Sequence, residues 1–292
     1  MSKAFACAGM ALLLSVPLHA LAGSTASASL TGFTVTLIDL NLNDGVSPSI
    51  IFSTANGTGS LVSASANDQS FGSQSTSYFS FVPFGPISAA AAVGLAQSSA
   101  TVSGTSAGGY SFVAQGSAQG ASTPGRGTDF QASAGTGNAY YSGLSFSVSP
   151  FTLVVFNGTA NLFAQTTVGL VQSPQFLTES ASASVSLRAN GSAPSGGSGS
   201  QDSNDSRNVY ASFASGYDPL TGQYGYTGQT QQFANVPLTV SFTNFQSAAM
   251  TGNLTLGVSA GGNSPMSPVP EPASGALMAA GLALFAALRR RR

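Results

Sequence analysis

The sequence predicts an all-β protein: a single β-sandwich or jelly-roll-like domain between an N-terminal signal helix and a short C-terminal transmembrane helix. Three observations lead there. Apolar residues alternate with Ser and Thr at period 2 in several separate segments, the pattern of strands with one buried and one wet face. Gly, at 35 of 292 residues, and Asn-Gly or Asp-Gly steps punctuate those segments as turns do. Between the two ends no stretch carries a persuasive amphipathic-helix pattern.

Residues 1–22 form the first element. Lys3 gives a positive start, Ala4 to Leu18 an apolar run of secretory length, and Ala20-Leu21-Ala22 places small residues Ala20 and Ala22 where a signal peptidase reads them. Cleavage is expected after Ala22.

An exported β domain over residues 23–260 follows. In its first strand Phe33, Val35 and Leu37 share one parity, and Ile38, Leu40 and Leu42 share the other. A switch at Leu37–Ile38 marks either a bulge, a passage between sheets, or a strand buried on both faces. Ser88 to Ala100 fits a helix by its alanines and a strand by Val93 and Leu95. Leu144, Phe146 and Val148 alternate with serines. Asn157-Gly158 between two apolar runs predicts a hairpin turn, with Asp44-Gly45, Asn56-Gly57 and Asn190-Gly191 as further turns. Ala181, Ala183, Val185, Leu187 and Ala189 make the longest alternation; Leu238, Val240 and Phe242, then Leu254, Leu256 and Val258, repeat it. Gln115–Thr128 and Ser192–Ser206 read as loops, the second Gly/Ser-rich with Asp202 and Asp205. A parallel β-helix is the other architecture considered, but no fixed short repeat supports it.

Residues 261–268 read as a linker, and 269–292 as a sorting signal. Val269, Pro270, Glu271 and Pro272 precede an apolar run from Gly275 to Leu288, and Arg289, Arg290, Arg291 and Arg292 close the chain. The two prolines favour extended backbone and present Glu271 on it. Fourteen helical residues rise about 21 Å, against a hydrocarbon core of about 30 Å. A segment this short suits transient anchoring in the inner membrane. The arginines should remain on the cytoplasmic side, leaving everything from Gly23 to Pro268 beyond the membrane.

Val-Pro-Glu-Pro, an apolar helix and an arginine cluster together resemble the PEP-CTERM sorting signal of Gram-negative bacteria. The resemblance covers Val269 to Arg292. It implies recognition by an exosortase, a membrane-embedded cysteine transpeptidase, and a host that makes extracellular polysaccharide. More loosely, Leu37 to Pro48 resembles the start of other exported PEP-CTERM proteins, with no activity attached. On this basis the chain is expected to be an exported surface or matrix protein, structural and linked to exopolysaccharide or biofilm.

Composition narrows the chemistry. Cys7, His19 and Lys3 are each the only residue of their kind and all lie in the predicted leader; Trp is absent. The exported body therefore has no Ser-His-Asp or Cys-His arrangement and no thiolate or imidazole metal site. Its three cations, Arg126, Arg188 and Arg207, face eight carboxylates, a net charge of −5. That excludes nucleic acid as a partner. The carboxylates form no recognisable catalytic constellation, so no enzyme, catalytic residue, metal or cofactor is expected.

Three clusters merit a binding reading; for Asp202 and Asp205, which could hold calcium, a solvated loop is expected instead. Asn41, Asn43 and Asp44 supply oxygen at a density that calcium uses, but Asn and Asp before Gly make a turn on their own, and the turn is expected. Tyr210, Tyr217, Tyr224 and Tyr226 gather rings near Asp218, Gln223, Gln229 and Gln231. They are the candidate glycan-binding face for the alternative function, a carbohydrate-binding module on the cell surface.

Overall fold

The computed structural model describes residues 23–53, 59–105, 109–120, 127–137, 143–167, 178–192, 200–218 and 223–265, and of 192, 200 and 214–227 the backbone alone. No helix occurs among the described residues; the predicted signal and transmembrane helices lie outside them. Fifteen strands do occur: β1 Gly23–Asp39, β2 Ile50–Phe52, β3 Gly59–Asp68, β4 Gly72–Ser80, β5 Ile87–Val93, β6 Ala96–Thr105, β7 Gly109–Gln119, β8 Thr128–Gly137, β9 Leu144–Val148, β10 Thr152–Thr166, β11 Thr178–Ser192, β12 Ser200–Asp218, β13 Gln223–Gln229, β14 Gln231–Asn244 and β15 Met250–Ser264.

They form two antiparallel sheets. The first runs β14-β10-β1-β7-β6-β5 and the second β13-β12-β11-β15-β8-β3-β4. Short β9 continues the line of β8 along β15, and β2 pairs with β9. The sheets lie face to face: β1 over β11 and β15, β7 over β8 and β15, β10 over β11 and β12. This is the arrangement of a β-sandwich, with inward residues of both layers interdigitating.

Side-chain size divides the core along the strands. Near the start of β1 the inward positions are mostly alanine, such as Ala26, Ala64, Ala114, Ala132, Ala164 and Ala183. Toward the other pole they become rings: Phe33, Phe84, Phe112, Phe146, Phe156 and Phe242. Phe33 stacks on Phe156 at 6.3 Å between centroids, and Phe146 meets Phe242 edge-on at 5.1 Å. Phe130 is a large ring within the alanine half. It fits because Gly116 and Gly262 flank it; a Cβ on either would come within 2.2 and 2.7 Å of its ring carbons.

Several expectations are corrected here. The Asn157-Gly158 step is not a turn. It lies inside β10, paired on both sides with β1 and β14. Gly158 is used for space: a Cβ there would sit 2.7 Å from Leu30 Cδ1. Asn190-Gly191 likewise lies within β11, where a Cβ on Gly191 would meet Phe242 at 2.7 Å. Asp44-Gly45 does turn, with Gly45 at φ 71°. Asn56-Gly57 lies outside the described residues.

The β1 irregularity sits earlier than the parity switch suggested. The register shifts between Leu30 and Phe33, at Gly32 with φ 62°, a bulge that keeps both Leu30 and Phe33 inward. At Leu37–Ile38 nothing crosses between sheets; β1 ends at Asp39, leaving Ile38, Leu40 and Leu42 exposed. Ser88–Ala100 is a hairpin of β5 and β6 rather than a helix. Asp202 and Asp205 lie in β12, not in a loop, since β12 begins at Ser200. β7 runs on to Gln119. β15 continues through Ser264, so Gly261–Ser264 is sheet and not linker.

Candidate functional site

The described residues most closely tied to the predicted sorting signals are where the sandwich meets its two ends. β1 starts at Gly23, and the Gly23 carbonyl accepts from Thr167 N at 2.9 Å. Gly23 is the register partner of Gln119, whose carbonyl accepts from Thr128 Oγ1 at 2.6 Å. Thr128 is in turn the register partner of Ser264, the last residue of β15. The chain therefore leaves this pole in both directions, toward the leader and toward the tail.

A layer of polar side chains caps the alanine core here. Ser24, Thr128, Thr166, Glu179 and Ser264 are all buried, at 0–2% exposure. Each occupies an inward position on its strand, one step beyond alanine, Phe130 or Gly262. Ser264 Oγ donates to Glu179 Oε1. Glu179 Oε2, Ser24 Oγ and Thr166 Oγ1 have no hydrogen-bond partner. Burial pushes the Glu179 carboxyl up to about 7, partly offset by the Ser264 bond. Desolvation disfavours the charged form, so the group is kept as a neutral acid at moderate pH. The signal that could have found Glu179 is parity, which the sequence reading did not use: it shares parity with Ala181, Ala183 and Val185, which puts a carboxyl on the buried side of a hydrophobic stripe.

The other carboxylates with described side chains serve local structure. Asp39 accepts from Asn41 N at 2.9 Å, and Asp44 from Val46 N at 2.8 Å. These two bonds and that from Asn43 N to Asn41 Oδ1 at 3.4 Å shape the turn. Asp68, buried, caps the β3–β4 and β5–β6 turns through Ser70 N and Leu95 N. Asp129 accepts from Asn67 at 2.8 Å. Arg188 grips Asp202 with two bonds of 2.8 and 2.7 Å and holds its carboxyl below the usual range. Asp205 pairs with Arg207 at 2.6 Å and accepts from Thr239 N.

The tyrosine face is only partly assembled. Tyr217 and Tyr224 are register partners across β12 and β13, and Tyr226 is opposite Ser215; the side chains of these three lie outside the described residues. Tyr210 stands apart, seven residues back along β12 or roughly 23 Å at strand rise. It is half exposed, and its N–H donates to Gln232. The signal-cleavage residues Ala20 and Ala22 and the sorting residues Val269 to Pro272 and Arg289 to Arg292 fall outside the described residues.

Comparison with curated proteins found no match, and none was found among solved structures. Residues 268–292 match the family model of the PEP-CTERM protein-sorting motif. That motif implies export toward the cell envelope or surface and sorting by an exosortase. The chain is therefore a PEP-CTERM sorting domain-containing protein.

Proposed function

We propose that this protein is a structural component of an extracellular layer, linked to exopolysaccharide or biofilm, and not an enzyme. It is exported through signal peptidase, held briefly in the inner membrane, and released to the cell surface or matrix after exosortase processing. The observation that carries this reading is a division of labour along the chain. The sorting motif occupies residues 268–292, while the body carboxylates with described side chains are engaged in turns, ion pairs or the core. Deleting Arg289–Arg292, or Glu271→Ala, is expected to strand a full-length precursor in the inner-membrane fraction. Fractionation showing unchanged size and location in both variants would contradict the processing route.

A second reading, a carbohydrate-binding module, draws on the pairing of Tyr217 with Tyr224 at the β12–β13 end. Aromatic rings beside amides suit sugar faces. Retention of the purified protein on a polysaccharide array, lost in Tyr217→Ala/Tyr224→Ala, would favour it; no retention on any glycan, the host's own included, would reject it.

A further inference from the structure

An edge strand carries a row of unpaired N–H and C=O groups, and sheet proteins guard such edges with charge, proline, bulges or cover. Both edges of the first sheet are engaged. β14 carries Pro237, and its Thr239, Ser241 and Thr243 amides donate to Asp205, Ser203 and Gln201 of β12. In β5, the Ala92 amide donates to Gln74 at 2.9 Å. β4 at the end of the second sheet has none of the usual guards. Among the described residues its backbone pairs only with β3, in unbroken register from Gly72 to Ser80, with no proline, and its Gln74 side chain accepts a cross-sheet hydrogen bond from β5. Between Asp68 and Arg126 the sequence has no charged residue at all.

Apolar side chains stand exposed at both ends of this strand. At one end is Phe71, 74% exposed, its ring beside Gly94. At the other are Phe79, Phe81 and Val82, with Phe81 60% exposed and 5.0 Å from Phe79 between ring centroids. Between them lie hydroxyl side chains, Ser73, Ser75, Thr76 and Ser77. The pattern is self-complementary. Two such strands running antiparallel about an axis at Thr76 place Phe71 opposite Phe81 of the second copy, at both ends at once. Ser75 then meets Ser77 and Thr76 meets itself, the hydroxyl pairs that antiparallel sheets favour. A body of net charge −5 can approach itself here because this edge is uncharged.

We infer that β4 is the surface through which two copies of this chain pair, edge to edge and antiparallel about Thr76, so that the second sheet continues from one copy into the other. This pairing rests on the structural reading above and gives that reading its first assembly contact. A two-fold contact of this kind is closed, and yields dimers rather than open fibres.

The protein purified as the cell exports it is expected to scatter light as a dimer. A residue on the axis faces its own copy across a strand pair, at a Cα separation of about 4.5–5.5 Å, within disulfide reach. Thr76→Cys should therefore form a disulfide-linked dimer on mild oxidation. Gln97→Cys, exposed on the outer face of the first sheet, should not. Tyr78→Lys/Phe79→Lys, at two exposed positions, should halve the mass while leaving the circular dichroism of the folded chain unchanged. Monomer mass at every concentration, with Thr76→Cys linking no faster than Gln97→Cys, would overturn the pairing; so would assemblies larger than a dimer that the lysines abolish, which imply a head-to-tail contact. A monomer whose processing still depends on Arg289–Arg292 defeats this pairing alone. A dimer whose processing ignores those arginines defeats the sorting route alone.

Discussion

Replacing Phe146 with alanine is expected to lower the stability of the body by about 3–5 kcal/mol, the range for truncating a buried ring. Phe146 is 1% exposed and touches Phe52, Phe156 and Phe242, with centroids at 6.2, 5.6 and 5.1 Å. Its ring covers Gly252, its register partner on β15, where a Cβ would come within 2.4 Å of Cζ. The alanine variant leaves a void lined by rings and a bare glycine. β9 has only five residues and is the link from β2 to β15, so its loss also unpairs β2. Phe146→Leu should cost far less. Urea unfolding of the three proteins checks this; a change below about 1 kcal/mol in the alanine variant would mean that the aromatic half of the core is not the stabilising half.

The second large effect is a pH dependence set by Glu179. Its carboxyl moves from 4.5 to about 7 on folding. Below 4.5 both folded and unfolded chains hold the proton. Between 4.5 and 7 the unfolded chain has released it while the fold retains it, so stability falls as pH rises and levels off above 7. The full change is of the order of 3 kcal/mol at 1.36 kcal/mol per pH unit, or roughly 6–12 °C in melting temperature for a body of this size. Glu179→Gln keeps the shape and an acceptor for Ser264 Oγ but cannot ionise. It should match the parent near pH 4, exceed it near pH 8, and remove most of the slope between. Parallel melting curves for the two proteins from pH 4 to 8 would show that Glu179 charges freely in the fold.

The two predictions also mark what the sequence did and did not reveal. Period-2 alternation located Leu144–Val148, Ala181–Ala189, Leu238–Phe242 and Leu254–Val258 as strands, because burial on one face writes directly onto parity. The tail was legible because its three parts are contiguous and owe nothing to the fold. The Asn-Gly steps misled for a physical reason. Glycine serves two purposes, positive φ in a turn and absence of a Cβ beside a large neighbour, and local sequence cannot separate them. Gly158 beside Leu30 and Gly191 beside Phe242 are the second kind. The polar cap escaped notice because it joins the ends of five strands, and only the sheet registers bring Ser24, Thr166, Glu179 and Ser264 together. The β4 edge escaped for the same reason, since a strand becomes an edge only when the order of its neighbours is known.

The first strand of the body begins at Gly23 and its last ends at Ser264, both at the pole capped by Glu179.

The most direct test of the whole account is the intact mass and terminal peptides of the protein recovered from outside the cell. The account predicts a chain beginning at Gly23 that lacks Arg289–Arg292. A full-length chain there, with residues 1–22 and the arginines still present, would contradict it.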